Sequence, residues 1–304
     1  MTLTAPPRLL LVHAHPDDET LWTGGTIARY AARGVQVTVV TCTLGEEGEV
    51  IPESLRGLAS EQADQLGGYR LGELRSACSA LRVAGHRFLG GIGRWRDSGM
   101  VWQEPGKAAG TVADAHPRAF VNGDLAEQSD SLEAVLREVK PQVVVTYAAD
   151  GGYGHPDHIR AHDVTMAATA KVPDVLRVFH VVPSREAVRE GLDRLARAEG
   201  MPFTLPRLHE LPHVDDESVT TVVDVGEHLP AKINALRAHG TQVRVWLDQW
   251  DNGTGVAGYA LSNDVGQPLA NTEHYVLARG AEQGASTDLF GGLGVSGTEP
   301  VSER

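Results

Sequence analysis

Cysteine is nearly absent: Cys42 and Cys78 are the only two in 304 residues. A disulfide framework is therefore excluded, and both are expected to be small buried thiols of a reducing, cytoplasmic compartment. Long apolar runs are missing too. No stretch approaches the ~20 residues of a membrane-crossing helix, and the apolar run near the start is shorter than a signal-peptide core. Positive charge is in deficit, with 27 Lys and Arg against 40 Asp and Glu and a formal net charge of −13. Nucleic acid and anionic membrane are thus unpromising partners, since both select basic patches. No dinucleotide fingerprint follows the first strand either: Gly24 and Gly25 lack the Gly-x-Gly-x-x-Gly spacing. There is no internal repeat and no low-complexity block.

What remains is a chain of ordinary apolar content, 41%, long enough for one large α/β domain or two smaller ones. Arg8 to Val12 (RLLLV) reads as a short buried strand, and Pro16 stops it. The run His13-Ala-His-Pro-Asp-Asp-Glu19 follows at the strand's end. In open α/β sheets ligands bind outside that end of the strands. His15 and Asp18, three apart across a proline turn, can chelate one ion, which leaves Asp17 beside it as a base. A catalytic zinc site usually has about three protein ligands. The third is sought after a second apolar run, Gln142 to Tyr147 (QVVVTY), which leads into Gly-Gly-Tyr-Gly-His-Pro-Asp-His at 151–158. His155 and His158 are the candidates there. His13 alternates onto the same strand face as His15 and is a near neighbour of the site.

Between the two motifs the pattern is that of a parallel sheet. Residues 20–33 read as a helix ending at Gly34 and 35–43 as the next strand, a right-handed βαβ unit. Residues 44–57 form a Gly- and Glu-rich loop whose Glu49 is placed to accept hydrogen bonds from a polyol. Residues 59–82 are helical in pattern, interrupted at Gly67-Gly68, with Arg70 just beyond. A short strand at 86–91 leads to Asp97 and Met100 at the same end of the sheet, and 101–122 is irregular, a candidate lid. A helix spans 125–139. Pro156 opens another that runs to about Ala170, carrying His158 and His162 on one face. The Glu of a His-Glu-x-x-His motif is missing, which makes His162 a packing histidine. Strands at 175–182 and 219–225, helices at 184–199 and 227–239, and β-prone runs in 243–278 complete the chain. The expected fold is α/β: a Rossmann-like parallel sheet flanked by helices (1–175), a smaller C-terminal α+β region (176–280) and a partly disordered tail (281–304).

HAHPDDE and GGYGHPDH together resemble the paired motifs of the LmbE-like zinc deacetylases, the GlcNAc-PI de-N-acetylase type. The stretches VTCTLGEEGEV (40–50), DQLGGYRLGEL (64–74), GRWRDSGM (93–100), ALRAHGTQV (235–243) and EHYVLARG (273–280) are similar to the branch of that family that serves mycothiol biosynthesis. The likeness runs from about Arg8 to about Leu293 and is weakest through 102–130 and 183–218. It implies one Zn²⁺ per subunit, with Fe²⁺ as the other ion such a shell accepts, on His15, Asp18 and His158. It implies Asp17 as general base, Tyr153 as donor to the oxyanion, and His155 as a protonated partner of the oxyanion or the leaving amine. Asp157 would orient a histidine, while Glu49, Arg70, Asp97 and Met100 would contact substrate. His239 and His274, in matching segments, could line the site. The implied substrate is a small glycosyl-inositol, whose acetamide is hydrolysed to a free amine and acetate. The alternatives are the sibling amidase of mycothiol S-conjugates, a deacetylase of another N-acetylglucosaminide, and a sugar binder without chemistry. The lack of a glycine fingerprint after the first strand and the clustering of His with Asp weigh against the last.

Overall fold

The computed structural model describes residues 6–294, apart from 105, 106, 109, 111, 252 and 253. The strand β1 (Arg8–His13) lies at its centre, buried along nearly its whole length. It pairs in parallel with β2 (Gln36–Thr41) on one side and with β6 (Val143–Tyr147) on the other. Strands covered on both faces carry continuous apolar runs instead of alternating ones, as RLLLV and VVV do. Successive side chains of β1 still divide between the layers. Leu9 and Leu11 join a core with Ile27, Tyr30, Leu81 and Leu229, whereas Leu10 and Val12 pack with Leu132, Leu136, Ala161 and Val164.

The first of those cores is covered by α1 (Asp18–Ala32), α2 (Leu66–Ala80) and α6 (Leu229–Ala238). The second is covered by α3 (Leu125–Val139) and α4 (Pro156–Ala170). The full sheet has seven strands in the order β3-β2-β1-β6-β7-β12-β8, where β3 is Gly85–Phe88, β7 Arg177–Val182, β8 Thr221–Asp224 and β12 Thr272–Arg279. The five strands from β3 to β7 run parallel, and β12 runs antiparallel to both of its neighbours. The α/β class and the helix-flanked parallel sheet expected from the sequence are borne out.

Three expectations need correction. The C-terminal region does not begin at 176 as a unit of its own, because β7, β12 and β8 extend the main sheet. The separate piece is a three-stranded antiparallel sheet of β9 (Arg244–Asp251), β10 (Thr254–Ala260) and β11 (Gln267–Pro268). Residues 281–294 are docked, not loose. Leu289 and Phe290 are fully buried, and the Arg177 guanidinium donates to the carbonyls of Ala281, Gln283 and Leu289. Residues 295–304 lie outside the described residues. Gly67 and Gly68 do not interrupt a helix; both sit in the first turn of α2, where a Cβ on Gly67 would come within 2.7 Å of Glu46 Cγ. The irregular 101–122 stretch carries a short hairpin of β4 (Trp102–Glu104) and β5 (Lys107–Ala108), and part of it lies outside the described residues.

Candidate metal centre

The register of the sheet explains how residues some 140 positions apart meet. Leu9 pairs with Val143 and Leu11 with Val145, so β1 and β6 end side by side. After β1 the chain crosses to β2, and after β6 it crosses the other way to β7. This is the switch point at which an open parallel sheet leaves a crevice. The His13–Asp18 turn and the Gly151–His158 loop both open into it.

Within the crevice, Nδ1 of His15 is 3.2 Å from Oδ2 of Asp18, and Nε2 of His158 is 3.3 Å from the same oxygen. Among the described residues, two groups have ligand atoms close enough to share an ion: His15, Asp18 and His158, and His15, His155 and Asp157. Hydrogen bonding separates them. Asp157 is already engaged, accepting from Ser98 N–H at 2.9 Å and from the Ser98 hydroxyl, and Nδ1 of His155 accepts from Asp157 N–H at 3.1 Å. In the other group Nδ1 of His158 faces the Gly151 carbonyl at 3.1 Å, and Nε2 is fully buried without a hydrogen-bond partner among the described residues. Nε2 of His15 lies 3.2 Å from Oδ2 of Asp157. Each histidine thus has its outward nitrogen bound as donor, which leaves the inward nitrogen its lone pair, the usual arrangement around a bound metal. An orphaned buried imidazole nitrogen beside a carboxylate fits a divalent cation, and His15, Asp18 and His158 are the residues that could hold it.

The electrostatics agree. Asp17, Asp18, Asp97 and Asp157 are all buried around His15. Burial opposes charge on His15, but the carboxylates of Asp97, Asp157 and Asp18 outweigh it and hold its pKa well above the ordinary value, so without an ion a proton takes the Nδ1 position that a bound cation would occupy. Burial pushes the Asp17 carboxyl up to about 6, with the Arg70 guanidinium pulling the other way. Such a surplus of negative charge is what a cation would neutralise.

Asp17 stands next to the ligand group but faces elsewhere. Its φ is 107°, a region that non-glycine residues rarely occupy. Two contacts hold it. Its N–H donates to Oε2 of Glu19 at 3.0 Å, and Oδ2 lies 3.0 Å from Nη2 of Arg70. Glu19 is in turn 2.7 Å from Nε2 of His239, both fully buried. Arg70 also donates to the carbonyls of Pro16 and Gly45. Position 45 must be glycine: a Cβ there would fall 2.0 Å from Arg70 Nη1, and its φ is +68°.

The remaining expected residues divide. Tyr153, His155, Glu49, Arg70, Asp97 and Met100 line one cavity of about 880 Å³ with His15, Asp17 and Asp18. Asp157 is fully buried behind it. Arg70 is expected at the substrate, and its guanidinium is committed to Asp17 and the two carbonyls. Nδ1 of His155 serves as N-cap acceptor for α4, and burial, with His15 and His158 nearby, lowers its pKa well below the ordinary value. His13 turns away from the crevice to Thr23 Oγ1 at 2.9 Å and Tyr147 Oη at 3.3 Å. His274 lines the cavity, whereas His239 is sealed behind Glu19. Sequence reasoning missed Ser98, Glu19 and Trp22. Glu19 and Ser98 lie inside the motif stretches and Trp22 three residues beyond one, which is the only signal the sequence carries for them.

Comparison with known proteins follows the same outline. The family described as PIG-L, GlcNAc-PI de-N-acetylase, matches residues 10–169. The chain is 79% identical over 304 residues, 100% of both chains, to a protein of Saccharopolyspora erythraea named 1D-myo-inositol 2-acetamido-2-deoxy-alpha-D-glucopyranoside deacetylase 1. A relative from Actinosynnema mirum, named as the same deacetylase, is 65% identical over 294 residues, 97% of this chain and 100% of its own. Among solved structures, GalB, the 4-carboxy-2-hydroxymuconate hydratase of Pseudomonas putida KT2440, matches 90% of this chain and 97% of its own with a TM-score of 0.51 at 16% identity, a likeness of fold alone.

Proposed function

Since the chain belongs to the GlcNAc-PI de-N-acetylase family, we propose that it hydrolyses the acetamide of 1-O-(2-acetamido-2-deoxy-α-D-glucopyranosyl)-1D-myo-inositol to the free amine and acetate, a step of mycothiol biosynthesis. The observation that carries this reading is the full-length match, 79% identical, to a deacetylase named for that substrate. The His15–Asp18–His158 group supplies a chemical basis for it.

Two histidine nitrogens and one carboxylate are a shell that suits Zn²⁺, with Fe²⁺ as the alternative ion. When bound there, the ion supplies Lewis acidity toward the amide carbonyl and toward water. The protein's own residues do the rest. Asp17 takes the proton from the attacking water. A carboxyl pushed toward neutrality can then return that proton to the departing nitrogen. Burial raises the Tyr153 pKa, so the phenol stays protonated and can donate to the oxygen on which charge develops. His155 acts as a neutral imidazole whose Nε2–H is the second donor. Asp157 fixes the ring of His15. Glu49, Asp97 and Met100 face the sugar and the inositol, and Arg70 acts from behind through Asp17. The setting is a cytoplasmic one, in keeping with the free buried thiols of Cys42 and Cys78.

A second reading is cleavage of mycothiol S-conjugates. The cavity favours it, because beyond the crevice it continues onto an apolar wall of Val182, Leu205, Pro206, Leu211 and Leu269. Release of the free amine by zinc-reconstituted protein, with the glycosyl-inositol and an S-conjugate assayed side by side, tests the choice. Turnover of the glycosyl-inositol supports the proposal. Turnover of the conjugate alone moves the assignment to the amidase, and turnover of neither overturns both.

A further inference from the structure

Trp22 lies one helical turn after Asp18 in α1, on the same face. Its indole stacks parallel to the Tyr153 ring, with an interplanar angle of 1° and centroids 6.5 Å apart. The same indole presents its edge to His158 and to Tyr147, at 6.2 and 6.0 Å. It is also pressed against the backbone before Tyr153: a Cβ on Gly152 would come within 2.6 Å of indole Cη2. Hydrogen bonds anchor its glycines: Gly151 N–H to Ala148 O at 2.9 Å, Gly152 N–H to Asp150 Oδ1 at 2.9 Å and Gly154 N–H to Asp150 O at 3.0 Å. Gly151, Gly152 and Gly154 all have positive φ, at 69°, 82° and 88°, conformations that cost glycine nothing and leave the loop little intrinsic preference. Trp22 and Tyr153 both line the cavity.

From this geometry we infer that Trp22 is a positioning residue for Tyr153. The inference rests on the role given to Tyr153 above. The indole forms a flat stop on the α1 side of the glycine loop. It allows the Tyr153 ring to slide in its own plane over the crevice and denies it the space into which it would otherwise fall back. Since Asp18 and Trp22 project from one rigid helix, the element that sets the Asp18 carboxylate also sets the distance between it and the Tyr153 hydroxyl. Trp22 needs no contact with substrate to act in this way. Its contribution belongs in kcat, where a donor displaced by about an ångström costs on the order of 10- to 100-fold.

The experiment uses the metal-loaded full chain and four variants: Trp22→Ala, Trp22→Phe, Tyr153→Phe and the double variant Trp22→Ala/Tyr153→Phe. Trp22→Ala is expected to lower kcat by about 10- to 100-fold with KM and metal content little changed. It should also speed amide hydrogen exchange in 151–155, with Trp22→Phe restoring most of both. In the Tyr153→Phe background, which has already lost the hydroxyl, removing Trp22 should cost little more. An equal cost of Trp22→Ala in both backgrounds, or a raised KM at constant kcat, would overturn the inference and make Trp22 a wall of the substrate site. Unchanged exchange at 151–155 would also overturn it, and that readout does not depend on the substrate assignment. Full activity of Tyr153→Phe would instead defeat the role given to Tyr153, and the catalytic half of the inference with it.

Discussion

Nε2 of His15 and Oδ2 of Asp157 lie 3.2 Å apart, and the carboxylate is fully buried with Ser98 N–H and the Ser98 hydroxyl as its other partners. Asp157 therefore decides which nitrogen of His15 carries the proton, and Nδ1 is left to face Asp18. Replacing a carboxylate of this kind typically costs 10- to 100-fold in metal affinity. Asp157→Ala should lose metal to a competing chelator at about 10- to 100-fold lower chelator activity than the parent protein, with secondary structure retained. Unaltered retention would mean that His15 is oriented by something else.

Lys232 and Glu273 form a buried ion pair, Nζ to Oε1 at 2.7 Å, and tie three elements together. Lys232 also donates to the Leu21 carbonyl, while Glu273 accepts from Gly25 N–H and Thr26 N–H in the middle of α1. Removing the ammonium leaves a buried carboxylate without its counter-charge, at a cost of about 3 kcal/mol. Lys232→Met should therefore lower the urea midpoint markedly. Lys232→Met combined with Glu273→Gln should recover part of the loss. A single variant as stable as the parent would show that the backbone donors alone satisfy Glu273.

His180, on β7 away from the crevice, gives a pH dependence of stability. Burial, with His162 beside it and Asp150 opposing, lowers its pKa to about 4. Nε2 is buried with no hydrogen-bond partner among the described residues, and the two imidazole rings are 4.8 Å apart. The unfolded chain takes up a proton here as pH falls through about 6.5, while the folded chain does not until about 4. Between those values the unfolded state binds more protons, so stability is lost as pH falls, and below about 4 the contribution is constant. His180→Leu should flatten this dependence. Its stability relative to the parent should improve between about pH 7 and about pH 5 in urea unfolding. An identical difference at both pH values would refute the assignment.

Much of this was legible in the sequence because it is local. RLLLV before HAHPDDE, and QVVVT before GGYGHPDH, mark two buried strands that each end in a ligand-bearing loop, and a parallel sheet then has to bring the loops to one edge. Glu19 and His239 were not legible as a pair: they are 220 residues apart, and nothing in α1 signals that its third motif carboxylate points inward to a histidine at the end of α6. The place of β12 between β7 and β8 was hidden likewise, since an apolar run does not name its neighbours. The 281–294 segment reads as loose by its glycine, serine and threonine. Buried Arg177 collects three of its carbonyls, and Asp288 meets Tyr30 and Arg33, contacts that composition does not reveal.

The most direct test of the account is to measure bound metal and acetate release together in Asp17→Asn. Asp17 is next in sequence to the proposed ligand Asp18, and Arg70 and Glu19 turn it to a different task. The account predicts one divalent ion per chain, as in the parent, and a kcat lower by about 10²- to 10⁴-fold, the usual worth of a general base. Loss of the metal, or activity near the parent's with the metal in place, would contradict it.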